Sequence, residues 1–205
     1  MRLYLVRHGE TDWNKELRLQ GREDIPLNEC GRQQAYECGE TIKSLELDLI
    51  VSSPLQRAAD TAKIIGECLG LHHVIVDEDI IERDFGEASG MTYHEKNEKY
   101  KNLIIPGFED TKSLLNRAIR AIKKYGAAHT DGHVLMVSHG GTINAIISYV
   151  TNGKLGTGKT RLKNACLSIL EVKGDQIEML DYNLEAKEFA QKYLTQSVFE
   201  EAINQ

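Results

Sequence analysis

Short, uninterrupted apolar runs alternate along the chain with segments whose apolar residues recur at every third or fourth position. The runs lie within residues 3–6, 48–53, 73–77 and 133–139. Because they are apolar at consecutive positions, they predict strands that are buried on both faces of a parallel sheet. The segments between them have the spacing of amphipathic helices. The pattern predicts an α/β fold, a three-layer sandwich with a mainly parallel sheet flanked by helices.

Local signals mark two helix starts and a hairpin. Asn28 is placed to cap a helix over residues 29–45. Ser53 followed by Pro54 predicts a second helix start, with the serine as its N-cap. Near the C-terminus, two strand-like segments flank Lys-Gly-Asp at residues 173–175, which predicts a hairpin.

One stretch interrupts the alternation of strands and helices. Residues 92–110 are rich in charge and carry two tyrosines and one Pro-Gly pair. We expect a small cap or lid, over about residues 91–112, inserted in a single domain of residues 1–205. The tail after Tyr182 is expected to form a helix that packs on the body or on a partner chain.

Composition and charge exclude several classes of function. Apolar residues make up 41% of the chain and charged residues 27%, as in ordinary globular proteins. The formal net charge of −6 gives the surface no general attraction for nucleic acid or acidic membranes. No apolar stretch has the length of a membrane span or of a signal peptide. We therefore expect neither nucleic acid nor a membrane as partner, and a few focused cations must hold any anionic ligand.

The four cysteines indicate neither a zinc site nor a disulfide framework. They stand at positions 30, 38, 68 and 166, without a CxxC pair. Free thiols are typical of a reducing cytosol, so we expect a cytoplasmic protein without a bound metal. The sequence leaves the oligomeric state open.

Three of the predicted strands end in similar polar residues. The first ends in Arg7 and His8, the last of the apolar runs ends in His139, and each histidine is followed by glycine. The second strand leads into Arg57, one turn into a helix. Ligands of open parallel sheets bind at the carboxyl ends of strands, where helix N-termini gather. Each residue by itself would more often be a solvated surface group, but together they predict a phosphate pocket.

This set of side chains suits the transfer of a phosphoryl group. A neutral imidazole is a competent nucleophile toward phosphorus. Arg7 and Arg57 would bind phosphate oxygens and, by their charge, lower the pKa of His8 so that it stays neutral. His139 would stabilise the charge on the transferred group. Since the arginines supply positive charge, we expect no metal and no other cofactor.

The leaving alkoxide needs a proton, so an acid is expected at the rim of the pocket. The best candidate is Glu82, which follows an apolar pair and precedes a predicted turn. Partial burial would raise its pKa toward neutrality, as general acid catalysis requires. Asp84 competes for this role and Glu87 is a weaker candidate. Alternatively, Glu82 simply pairs with Arg83 on the surface.

Together these motifs resemble those of the histidine phosphatase superfamily, the clan that includes the cofactor-dependent phosphoglycerate mutases. They follow the family's order over about the first 165 residues, and the ordered set is far more specific than a single RHG triplet. The matching segments are LVRHGET with Asn14, LQGR, PLNECGRQQA, SSPLQRAADTA, ERDFG, SHGG and Asn164-Ala165.

The resemblance implies roles for the candidate residues. His8 would be the phosphorylated nucleophile, and Glu82 falls where the family places its proton donor. The remaining pocket residues would bind phosphate or line the substrate side. For phosphate these are Arg7, Arg57, His139, Asn14 and the backbone of Gly140, and on the substrate side Gln20 and Gly21.

The chain departs from the family pattern after the proton donor. Family members often read Phe-Gly-x-Trp-Glu-Gly here, whereas residues 85–90 of this chain read Phe-Gly-Glu-Ala-Ser-Gly and lack the tryptophan and the acid after it. Mutases also carry a longer insertion than residues 92–110. A mutase must hold its phosphohistidine away from water, which a short cap does poorly. The sequence therefore predicts a metal-independent phosphomonoesterase of a small soluble phosphorylated metabolite. A phosphoglycerate mutase is the first alternative, and a non-catalytic module that binds phosphorylated ligands is the second.

Overall fold

The structure is a computed structural model that describes residues 1–102 and 104–194. Its strands and helices follow one another as β1 (Arg2–Arg7), α1 (Asp12–Lys15), α2 (Glu29–Ile42), β2 (Leu49–Ser52), α3 (Gln56–Leu69), β3 (Val74–Val76), α4 (Tyr93–Lys99), α5 (Thr111–Ala128), β4 (His133–Ser138), α6 (Gly140–Val150), β5 (Leu167–Lys173), β6 (Gln176–Leu184) and α7 (Ala186–Phe189). A π-helical turn, Ala190–Leu194, follows α7. The rest of the predicted tail helix, residues 195–205, lies outside the described residues.

The six strands form one sheet in the order β3-β2-β4-β1-β5-β6. The strands β1 to β4 pair in parallel. The other two form an antiparallel hairpin, which pairs with the remaining edge of β1. Gly174 turns this hairpin with a φ of 57°, as the Lys-Gly-Asp sequence predicts. The mainly parallel sheet is confirmed.

Alternate residues of the central strands point to opposite faces of the sheet. In β1, Leu3 and Leu5 pack against α5 and α6, whereas Tyr4 and Val6 pack against α2, α3 and α7. All four side chains are buried. The strands are apolar at consecutive positions because each face of the sheet meets a layer of helices. The fold is the expected three-layer α/β sandwich.

The two predicted helix starts have different outcomes. The side chain of Asn28 caps α2 as predicted, although the helix ends at Ile42 rather than at residue 45. The prediction of Ser53 as the N-cap of α3 is wrong, since the N-cap is Leu55, whose side chain makes no capping bond. The hydroxyl of Ser53 accepts from the N–H of Leu55 at 3.4 Å and lies 2.7 Å from Nε2 of His139.

The stretch 92–110 contains α4 and packs beside the carboxyl ends of the parallel strands. Two isolated antiparallel bridges join it to earlier segments, Arg18 with Thr92 and Phe85 with Phe108. A small apolar cluster joins Tyr100 of this stretch to Leu19 and Ala88. This stretch therefore contacts both the segment after α1 and the segment after Glu82.

Two further observations concern the cysteines and the helices. All four cysteines are free thiols, of which Cys38 and Cys166 are buried. Within residues 1–102 and 104–194, none of the helices combines the length and the apolar character that crossing a bilayer requires.

Candidate active site

The order of the strands brings the two histidines together. β4 lies between β1 and β2, and its last residue, Ser138, is paired with Arg7 at the end of β1. His8 and His139 therefore leave neighbouring strands at the same edge. Their ring centroids are 5.2 Å apart with an interplanar angle of 54°, and both residues are buried.

The hydrogen bonds of His8 determine which of its nitrogens can react. Nδ1 lies 2.7 Å from the backbone carbonyl oxygen of Gly9. A carbonyl only accepts, so Nδ1 carries the hydrogen and Nε2 presents a lone pair. Burial lowers the pKa of His8 well below its usual range, and the charges of Arg57 and Arg7 lower it further, against a smaller opposite effect of the Gly9 carbonyl. His8 is thus a neutral imidazole with Nε2 as its basic atom.

His139 has the opposite tautomer. Its Nδ1 accepts a hydrogen bond of 3.2 Å from Nε of Arg57, which leaves the hydrogen on Nε2, where it is donated to Ser53. Burial, followed by the charge of Arg57, lowers the pKa of His139 well below its usual range. Ser53 is a site residue that the sequence interpretation missed, because it was assigned to helix capping.

Arg57 is the best-anchored cation of the site. Its side chain is fully buried, and it donates to the carbonyl oxygens of Glu23 at 2.7 Å and Gly21 at 2.8 Å. Burial lowers its pKa to about 10, so it remains charged at neutral pH. Together with the bond to His139, three of its N–H groups are committed, and the others remain for a ligand.

Arg7 has a buried donor without a partner. Its Nη1 donates to the carbonyl oxygen of Leu162 at 2.5 Å, but its Nε has no hydrogen-bond partner within the described part of the chain. This Nε lies beside Gly140, 3.5 Å from the place that a Cβ would occupy. An unpaired buried donor is costly, and an anionic oxygen would satisfy it.

The first turn of α6 provides backbone donors at the same place. Gly140 is its first residue, and the N-cap His139 makes no side-chain capping bond. A helix start favours an anion through its N–H groups and its dipole; those of Gly141 and Thr142 bind the Glu82 carboxylate, which leaves that of Gly140 for a ligand.

Asn14 is held so that its amide nitrogen is left as a donor. Its Oδ1 accepts hydrogen bonds from the backbone of Thr11 at 3.2 Å and from Nδ2 of Asn164 at 3.1 Å. Asn164 also donates to the carbonyl oxygen of His8 at 3.1 Å. The sequence match contained Asn164, but only the structure shows that it connects Asn14 to the backbone of His8.

Gln20 and Gly21 differ in how they relate to the site. Gly21 has a φ of 54°, a conformation that favours glycine, and its carbonyl oxygen is bound by Arg57. The side chain of Gln20 is buried, and its Oε1 has no donor among the residues that the structure describes. No described contact joins this side chain to the histidines.

Glu82 lies at the start of α6 and not on the surface. Its Oε2 accepts from the backbone N–H of Gly141 at 3.0 Å, and its Oε1 accepts from the backbone N–H of Thr142 at 3.0 Å. Arg83 contacts the carboxylate only through its own backbone N–H, at 2.8 Å. A Cβ at position 141 would lie 2.6 Å from Oε1. The glycine after Gly140 thus lets the carboxylate approach the helix start.

The two competing acids are directed elsewhere. Asp84 accepts from the backbone N–H of Gly86 at 2.8 Å and is 39% exposed. Glu87 accepts from the hydroxyl of Tyr100 at 2.9 Å and faces Lys99 at 3.7 Å. Both side chains are therefore engaged away from the two histidines.

Together the groups supply the donors that an anionic ligand requires. Two buried guanidiniums, an amide and a helix start gather at the sheet edge that carries the basic nitrogen of His8 and the neutral ring of His139. Within the described residues, no group of three or more His, Cys, Asp or Glu side chains is arranged to hold a metal ion. A tetrahedral dianion fits such a set of donors.

The loop after His8 depends on a backbone contact between two glycines. A Cβ at Gly31 would lie 2.1 Å from the carbonyl oxygen of Glu10, and one at Gly9 would lie 2.3 Å from that of Gly31. We expect Gly31→Ala to lower the free energy of unfolding by about 3 kcal/mol, because backbone atoms cannot move aside as a flexible side chain can. Urea denaturation measures this change.

Gln33→Ala is the matched control, because Gln33 is exposed and lies in α2, as Gly31 does. This substitution should change the free energy of unfolding by less than about 0.5 kcal/mol. A Gly31→Ala protein as stable as the control would contradict the close approach of the two backbones.

Comparisons with known proteins agree with this geometry. The profile of the histidine phosphatase superfamily (branch 1) matches residues 3–185. The uncharacterised phosphatase PhoE of Bacillus subtilis is 43% identical over 180 residues, 88% of this chain and 93% of PhoE. The probable phosphoglycerate mutase GpmB of Salmonella choleraesuis is 32% identical over 189 residues, 86% of this chain and 87% of GpmB.

A solved structure adds a bound ligand to the comparison. A mutant of the phosphoserine phosphatase of Entamoeba histolytica, in complex with phosphoserine, superposes with a TM-score of 0.78 at 28% sequence identity. The match covers 89% of this chain and 96% of that one. The site described above therefore lies in a fold that binds a phosphorylated small molecule in that relative.

Proposed function

The chain belongs to the histidine phosphatase superfamily (branch 1) and is a phosphatase of that type; from this premise we propose that it hydrolyses a small phosphorylated metabolite through a phosphohistidine on His8, without a metal. The observation that carries the proposal is the hydrogen bond between Nδ1 of His8 and Gly9. It leaves Nε2 with a free lone pair beside two buried arginines, which is what attack on phosphorus requires.

The first step transfers the phosphoryl group to the enzyme. Nε2 of His8 attacks phosphorus, the bond from phosphorus to the ester oxygen breaks, and its electron pair goes to the leaving oxygen. Protonated Glu82 gives that oxygen a proton, so that the alcohol leaves neutral. Arg7 and Arg57 bind the phosphoryl oxygens, and His139 stabilises their charge in the transition state.

The second step returns the enzyme to its starting state. A water molecule attacks phosphorus, the bond to Nε2 of His8 breaks, and its electrons return to the imidazole. The Glu82 carboxylate takes the proton that this water loses, so the group alternates between acid and base. The amide of Asn14 and the backbone N–H of Gly140 hold phosphate oxygens in both steps.

The residues that hold phosphate support a metal-independent reaction. Arg7 and Arg57 are buried cations, and buried charges act more strongly than solvated ones. The positive charge that magnesium supplies elsewhere is therefore built into the chain. Gln20 and Gly21 would lie on the side of the leaving group.

Hydrolysis is favoured over isomerisation by the size of the cap. We propose that residues 91–112 act as a cap on a single domain. They contain one helix of seven residues, α4, which has no buried side chain. Such a cap excludes water poorly, whereas a mutase must protect its phosphohistidine. The similarity to GpmB nevertheless makes a phosphoglycerate mutase the second candidate.

The expected setting follows from the chain as a whole. Free thiols suit a reducing compartment, so we propose that the protein acts in the cytoplasm. The formal charge of −6 supports small phosphorylated molecules, rather than nucleic acid or membranes, as its partners.

Phosphate release from a panel of monoesters, with and without EDTA, tests the proposal. The panel contains 3-phosphoglycerate, phosphoserine, sugar phosphates and p-nitrophenyl phosphate, and the isomer of 3-phosphoglycerate is assayed in parallel. We expect release from one or a few compounds, unchanged by the chelator, because the arginines carry the charge.

Each other outcome contradicts a stated part of the proposal. Strong inhibition by EDTA would contradict metal independence. Formation of 2-phosphoglycerate that depends on 2,3-bisphosphoglycerate would identify a mutase. Tight binding of a phosphorylated compound without any turnover would identify a binding module.

A further inference from the structure

Arg117, in the middle of α5, binds the backbone within residues 79–84, here called the Glu82 segment. Its Nη2 donates to the carbonyl oxygen of Glu82 at 3.0 Å. Its Nη1 donates to the carbonyl oxygens of Ile81 at 2.5 Å and Asp79 at 3.0 Å. One guanidinium thus binds three backbone carbonyls within four consecutive residues.

The same guanidinium also binds the end of the proposed cap. Its Nε lies 2.8 Å from Oε1 of Glu109 and its Nη2 lies 2.9 Å from Oε2. Both side chains are 11% exposed. Burial, the largest single influence, raises the pKa of Glu109, but the hydrogen bonds and charge of Arg117, the N–H of Asp84 and the charge of Arg22 together hold this pKa below its usual range. The two residues form a bidentate ion pair, which fixes orientation as well as distance.

Glu109 extends this connection to the residues that follow the acid. Its Oε2 accepts from the backbone N–H of Asp84 at 3.2 Å, and its own N–H donates to the carbonyl oxygen of Asp84 at 2.9 Å. Residues 82–84 belong to no helix or strand, so neither kind of regular hydrogen bonding fixes the backbone there. The pair of Arg117 and Glu109 provides the hydrogen bonds that regular structure would otherwise supply.

We propose that Arg117 is a positioning residue for proton transfer: with Glu109 it holds the Glu82 segment at the distance and angle that donation to the leaving group requires. This inference rests on the proposed role of Glu82. We call the pair of Arg117 and Glu109 the clamp. Its loss moves the carboxylate of Glu82 relative to the substrate, while His8 and the arginines of the phosphate pocket stay in place. A small displacement of a catalytic group is costly, because proton transfer depends steeply on geometry.

The test compares two leaving groups in Arg117→Met and Arg117→Lys. One substrate is the alkyl monoester of the panel that is turned over fastest, and the other is p-nitrophenyl phosphate, whose leaving group scarcely needs a proton. We expect kcat/KM for the alkyl ester to fall about 10- to 100-fold, part of the contribution of general acid catalysis. The value for p-nitrophenyl phosphate should fall less than about 3-fold.

Two variants serve as controls. Lys123→Met removes an exposed ion pair with Asp175 from the same helix, away from the residues that Arg117 binds, and should leave both esters unchanged. Arg117→Lys keeps the positive charge but lacks the forked donors. An effect of charge alone on the pocket would therefore spare Arg117→Lys and would lower both esters alike in Arg117→Met.

Equal losses on the two esters, or no loss, would overturn the positioning role. If Arg117→Met does not fold, Glu109→Gln weakens the same clamp from its other side and is judged by the same two outcomes. Failure of the proposed function is distinguishable, since the wild type would then release no phosphate or would retain turnover after substitution of His8.

Discussion

His8→Ala should lower phosphate release from every ester that the wild type hydrolyses by about 10⁴-fold or more. Removal of a covalent nucleophile has an effect of this size. In the proposed mechanism Nε2 of His8 forms the bond to phosphorus, and no other described nitrogen at this edge combines a free lone pair with two neighbouring arginines. Steady-state rates measure the loss. Labelling with ³²P should show an acid-labile adduct in the wild type and none in the variant.

The control for this variant is His73→Ala, which removes an exposed histidine directly before β3, at the edge of the sheet opposite the site. It should leave both turnover and labelling unchanged. The His8→Ala protein should retain its far-UV circular dichroism, because the ring of His8 makes a single hydrogen bond, and that bond is to its own neighbour. Turnover equal to that of the wild type would exclude the phosphohistidine mechanism.

Glu82→Gln should slow the hydrolysis of alkyl esters by about 10²- to 10³-fold and that of p-nitrophenyl phosphate only a few-fold. Glutamine retains the shape of the side chain and an oxygen that can accept from the start of α6, but it cannot donate and recover a proton. The ratio of kcat/KM for the two substrates measures this difference. It is independent of the amount of folded protein, since both rates come from one preparation.

Substitution of the competing acids separates the candidates. Asp84→Asn and Glu87→Gln should leave the ratio unchanged, because these side chains are engaged by Gly86 and by Tyr100. If Asp84→Asn slowed alkyl esters more than p-nitrophenyl phosphate, and Glu82→Gln did not, the role of general acid would belong to Asp84. Similar losses on both substrates in Glu82→Gln would show that the residue does not act on the leaving group.

The fold and the family could be predicted because their signals are local. Consecutive apolar positions in the strands reflect a helix layer on each face of the sheet, and Asn28 caps its helix through a contact only three residues away. The ordered RHG, SSPLQR and SHGG segments are likewise visible without knowledge of the strand order. This order identifies Arg7, His8, Arg57 and His139, and the structure brings them together at one edge of the sheet.

The local interpretation failed where a distant contact competes with a local one. Ser53 before Pro54 has the composition of a helix cap, but its hydroxyl pairs with His139, 86 residues away. The structure also shows Glu82 bound at the start of α6 rather than paired on the surface with the side chain of Arg83. Neither contact has a periodicity or a spacing that a sequence pattern could report.

The sequence by itself determined the class of fold, the family, and which residue types are present for phosphoryl transfer, because these follow from the order of residues along the chain. Only the tertiary structure decided how they act. The position of β4 between β1 and β2 brings the histidines within 5.2 Å. The hydrogen-bond partners of each ring select its tautomer, and Arg117 reaches the Glu82 segment across 35 residues. These properties depend on packing between segments that are remote in sequence, and hydrogen-bond geometry is defined only once that packing is formed.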